Sequence, residues 1–168
     1  MRYYPAAIAL SLLAAVTASA GFSAAPEALD PRASVLLAQG RSALSAGNVD
    51  KAIDSFESAL AIQPGSPAIY LNLAEATRRQ GLQGKALHYY REVLVRDPQN
   101  LAAISGEGAA LVEKGAVEKA RRNLARLEGM CGRTCDPSRT LAAAIAKGPT
   151  QVVVTAEAIT PEPVVSAN

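Results

Sequence analysis

Tryptophan is absent from this chain, histidine occurs once, cysteine and methionine twice each, and the aromatics amount to five Tyr and two Phe. A single histidine, His88, leaves out most zinc sites and most His-based acid–base arrangements, which need several imidazoles or one held beside a nucleophile. No serine has a histidine partner close in the chain's geometry, and no glycine-rich phosphate loop follows a strand pattern, so neither catalysis nor a cofactor nor a metal is expected. An excess of one charge is also missing. With 17 basic against 15 acidic residues in 168, the net charge of +2 lacks the concentrated basic field that nucleic-acid binding requires. The length suits one modest domain with appendages. Hydrophobic residues still reach 49%, and because alanine dominates them they favour closely packed helices over a β-rich core.

The ends of the chain differ from its middle. Arg2, the apolar run Ala6 to Val16 and the small residues of Ala18-Ser19-Ala20 read as a secretory signal over 1–20, cut after Ala20. The competing reading is a membrane anchor, but the run falls short of the ~20 residues a span needs, so no span is expected in the mature chain. Export implies an oxidising compartment, periplasmic or secreted. Residues 21–30 read as a flexible leader. Residues 148–168, with Pro149, Pro161 and Pro163 and an unpartnered Val152-Val153-Val154, read as a disordered tail.

Between them the sequence repeats with a period of 34 residues and no gaps, over 33–66, 67–100 and 101–134. Gly47, Gly81 and Gly115 fall in register, as do Ala52, Ala86 and Ala120, and Phe56, Tyr90 and Leu124; Pro64 matches Pro98. Each position has a physical task in a helix-turn-helix unit. The glycines close a first helix in a left-handed conformation, the alanines let two helices approach, and the prolines end the second helix. Asp30-Pro31, Ser66-Pro67 and Asp136-Pro137 pair a capping side chain with proline at the first helical position. Ala52, Ile53, Phe56, Ala59 and Leu60, and their counterparts Ala86, Leu87, Tyr90, Val93 and Leu94, follow helical spacing.

On these residues the block resembles three tetratricopeptide repeats. The resemblance implies an all-α fold, a short right-handed α-solenoid over 31–147. The third unit departs from the pattern: Gly132 stands at the proline position, Glu107 replaces a large apolar residue, and Arg121 and Glu128 stand where the earlier units are apolar. Such polarity suits a terminal unit. Residues 136–147, with Leu141 and Ile145 on one face, read as a solvating helix that closes the stack.

What the resemblance implies for function is protein binding, since first helices in this family line a concave groove. It places Leu37, Ala38, Arg41 and Leu44, then Leu71, Asn72, Glu75, Arg78 and Arg79, then Ser105, Ala109, Val112 and Glu113 along that groove. Asn72 matches an asparagine that some members use to hold a peptide backbone. Leu37, Ala102 and Gly106 stand where the carboxylate-clamping members carry lysine or arginine, which argues against a chaperone-tail receptor. Arg78 and Arg79 also lie in the last turn of a helix, where cations offset the dipole whether or not anything binds. Lys119, Arg122 and Arg126 form a basic stripe on an outer helix that reads as a solvated face. Cys131 and Cys135 fit neither the thiol-oxidoreductase nor the haem spacing. They read as a small disulfide at the corner before the closing helix, with a redox-active pair as the alternative. The expectation is a non-enzymatic, exported scaffold that grips a segment of another protein, in an envelope, secretion or pilus-type assembly; the alternative is a thiol-disulfide accessory.

Overall fold

The computed structural model describes residues 28–149, so the signal segment and nearly all of the tail lie outside the described residues. Within them the chain forms seven helices: α1 Pro31–Ser45, α2 Val49–Ile62, α3 Pro67–Arg79, α4 Gln83–Arg96, α5 Leu101–Glu113, α6 Val117–Cys131 and α7 Asp136–Lys147. No described helix is long and apolar enough to cross a membrane. Each helix packs on its successor, α3 also touches α1 and α5, and α7 packs on both α5 and α6. That pattern is an α-solenoid: odd-numbered helices form one row, α2, α4 and α6 the other.

The periodic residues take the places their chemistry demands. Gly47, Gly81 and Gly115 have φ near +80°, and each follows the residue that caps a first helix, where a side chain would be strained. Ala52, Ala86 and Ala120 are fully buried between paired helices. Phe56 fills the first unit, and the site of a Cβ on Gly40 would lie 2.3 Å from its ring. Tyr90 does the same beneath Gly106 at 2.4 Å. Both glycines are therefore fixed by close packing and not by a turn.

In the third unit the register loosens. Leu124 is half-buried and Leu127, one turn on, fills the core in its stead. Glu107 is tied down by Arg91, whose Nε lies 3.1 Å away, and by Asn123 at 3.0 Å. Arg121 pairs with Glu118 in solvent. The polar substitutions thus sit at the stack's end without burying an unmet charge. Leu141 of α7 then inserts against Gly108, where a Cβ would lie 2.6 Å from its methyls.

Of the expected caps, Asp30 accepts from the Arg32 amide at 2.8 Å, whereas Ser66 makes no side-chain cap. Asp136 is inside α7, and the capping position falls to Cys135. Asn100, whose side chain accepts from the Ala103 amide at 2.9 Å, caps α5 without a following proline. The Cα atoms of Cys131 and Cys135 stand 5.9 Å apart, within the span of a disulfide. Gly132 between them, at φ +84°, breaks the helix so that the two side chains can meet.

Candidate functional site: a cleft on the inner row

An open cleft of about 560 Å³ lies along α1, α3 and α5. Helical spacing puts Leu71, Asn72, Glu75 and Arg78 on one face of α3, while Ile69, Leu73 and Thr77 of the same helix are buried in the core. Across from that face, α5 contributes Ala102, Ser105, Gly106 and Ala109. Arg41 of α1 stands at one rim, and the first turn of α7, with Asp136, Pro137 and Thr140, forms the other. Ser105 holds that turn in place, its hydroxyl donating to the Pro137 carbonyl at 3.0 Å.

The charged residues of the cleft are largely spent on one another. Arg78 donates from Nε and Nη2 to Glu75 at 3.0–3.1 Å, and from Nη1 to Glu113 of α5. Arg79 Nε donates to the same Glu75 at 2.7 Å, and the Tyr90 hydroxyl donates to its other oxygen at 3.1 Å. Burial pushes the Glu75 carboxyl up, but its bonds to Arg79 and Arg78 outweigh that and hold it below its ordinary value. Burial likewise pulls against the charge on Arg78, and Glu75 and Glu113 more than restore it. Tyr90 is raised, first by burial and then by the Glu75 carboxylate. Asn72 accepts from Arg41 Nε at 3.0 Å and donates to the Ala68 carbonyl at 2.7 Å. One lone pair and one N–H of its amide remain.

Of the residues singled out from the sequence, Arg41, Leu71, Asn72, Glu75, Arg78, Ser105 and Ala109 come together on the lining. Arg79 is exposed beside it, and Glu113 lies behind Arg78, with one carboxylate oxygen buried and unpartnered. Leu37 and Val112, expected along the groove, belong to the core instead, because α1 and α5 turn those faces toward their partner helices. Arg78 is not a free receptor for a carboxylate: its planar fork closes α3 onto α5. His88 is exposed on α4, its ring 5.4 Å from that of Tyr89. Sequence reasoning missed the wall made by α7 and the open space that the small residues of α5 leave. Ala102, Gly106 and Ala109, at intervals of four and three, carried the signal for the latter.

A helical stack of paired helices with a concave cleft on its inner row is the architecture of a repeat α-solenoid. Residues 5–67 and 37–100 match the tetratricopeptide repeat family, and the chain belongs to it. The first match begins within the stretch read as a signal, and both stop before the third unit, where the register loosens. A search of the curated proteins finds no match. Among solved structures, the Sgt2 tetratricopeptide domain from Aspergillus fumigatus is 26% identical with a TM-score of 0.63, covering 84% of this chain and 91% of its own. The Arabidopsis OM64 domain is 16% identical with a TM-score of 0.63, covering 69% and 95%. The first such domain of Spaghetti (RPAP3), solved with the HSP90 peptide SRMEEVD bound, is 23% identical with a TM-score of 0.60, covering 68% and 94%.

Proposed function

We propose that this protein is a non-enzymatic scaffold that holds an extended segment of another protein in the cleft between α3 and α5. The observation that carries the reading is Asn72, half-buried at the centre of an open cleft and fixed by Arg41 and Ala68 so that one donor and one acceptor remain. An amide held in that way can pair with a peptide unit without first losing its own freedom. Arg2, the apolar run after it and Ala18-Ser19-Ala20 support export to the periplasm or beyond. There Cys131 and Cys135 would be bonded and would pin the corner before α7. An envelope, secretion or pilus-type assembly is the setting that fits a small exported scaffold.

Partner capture from envelope extracts tests the site. Asn72→Ala should weaken capture by about 1–3 kcal/mol with the circular dichroism unchanged, and Lys119→Ala with Arg122→Ala on the outer row should have little effect. The reverse result would move the docking surface to the outer row.

A further inference from the structure

The chemistry of the cleft points to a particular kind of segment. Its floor and its α5 wall are made of Leu71, Ala102, Gly106 and Ala109; the Tyr90 ring takes the place of a side chain at Gly106, and the two alanines are too small to fill the space that the separation of α3 from α5 and α7 creates. Ala102 is exposed and Ala109 half-buried, so what limits the cavity is the lack of side chains and not a gap in the core. Such a concavity, lined mainly by apolar groups with a few fixed polar ones, suits a bulky apolar side chain.

Charge narrows the choice. The lining carries two arginines and two carboxylates. Arg78 is committed to Glu75 and Glu113, each an ion pair with both side chains at least two-thirds covered, and freeing it would leave the half-buried Glu113 without a partner and Glu75 with Arg79 alone as its cation. Asp136 pairs with Arg139 of its own helix and adds a negative charge to the rim opposite Arg41. A strongly acidic segment would therefore meet one guanidinium not held in an ion pair, Arg41, with the Asp136 carboxylate already at the rim. A strongly basic one would find Glu75 held by Arg78 and Arg79 and Glu113 half-buried behind Arg78.

Resting on the reading of the cleft as the binding site, we infer that its occupant is an extended protein segment without net charge. It would insert one bulky apolar side chain, leucine-like or aromatic, into the socket bounded by Ala102, Gly106, Ala109 and Pro137, with its backbone paired to Asn72. The carboxylate-rich tail SRMEEVD, bound by the RPAP3 domain, is the wrong chemistry for this surface.

Fluorescence anisotropy on the full chain tests this with blocked heptapeptides, Ser and Gly throughout except for a central Ala, Leu, Phe or Asp, alongside SRMEEVD. Affinity should rise at least about tenfold from Ala to Phe, the scale expected for burying such a side chain, and SRMEEVD should bind no better than the Ala peptide. Ala102→Leu should remove the advantage of Phe over Ala while leaving the melting curve in place, since position 102 faces the cleft. A preference for SRMEEVD or the Asp peptide that Ala102→Leu abolishes would overturn the apolar-socket inference and leave the cleft as the site. Equal binding of all peptides, no binding of any, or a Phe preference indifferent to Ala102→Leu would overturn both.

Discussion

Arg78 shows how one side chain can change role between the sequence and the fold. Its position near the end of α3, beside Arg79, suggests either a dipole-compensating cation or a receptor for an anion, and the structure gives it a third task as a clasp between two repeats. Its partner Glu113 is 35 residues away, one step beyond the 34-residue period, so the repeat fixes which helices meet but not which side chains on them do. Arg78→Ala should cost about 2–3 kcal/mol in urea unfolding, less than the ~3–5 of a fully buried pair because both partners keep some solvent contact. The same cluster sets an acid limit. Glu75 titrates below its ordinary 4.5 in the fold, so its contribution is complete above that value and is lost as pH falls through the lower, folded one. Urea midpoints measured against pH should decline below about pH 4.5, and Glu75→Gln should flatten that limb while lowering the neutral plateau.

At the scale of elements, six helix positions and their order are legible from periodicity, because the glycine, alanine and proline positions act locally within each unit. The seventh helix is legible as a helix, from Pro137, Gly148 and the alanine run between them, but not as a wall of the cleft. Whether it folds toward the inner or outer row depends on Leu141 entering the space above Gly108 and on Ser105 reaching the Pro137 carbonyl, contacts between residues some 30 apart. The half of the site on α3 was readable for the same reason as the helix itself. On α5, Ser105 and Ala109 were readable in the same way, but the space beside them was not, since small residues mark space only once their neighbours are known. Because the cysteine corner immediately precedes the α7 wall, Cys131→Ser with Cys135→Ser should leave the helical content near that of the parent and loosen α7 specifically. Amide exchange over 136–147 should accelerate while α1 to α4 keep their protection, at a global cost near the low end of the ~2–4 kcal/mol usual for a disulfide. Binding to the cleft should weaken in parallel.

For the molecule as a whole, the stack is sealed at one end and composed of units that depend on their neighbours. Tyr90, from the second unit, lies under Gly106 of the third, and Glu107 of the third holds Arg91 of the second. Stability is then approximately a chain of nearest-neighbour terms, with α7 closing the far end. The balanced charge around the cleft has a consequence in time rather than in energy. With two arginines and two carboxylates on the lining, the cleft itself presents little net charge to steer a partner, so encounters should proceed at the unsteered ~10⁵–10⁶ M⁻¹s⁻¹. Stopped-flow association should change by less than about threefold between roughly 0.05 and 0.5 M salt, where screening would slow a steered complex much further. Partners would be told apart after collision, by how long each one stays.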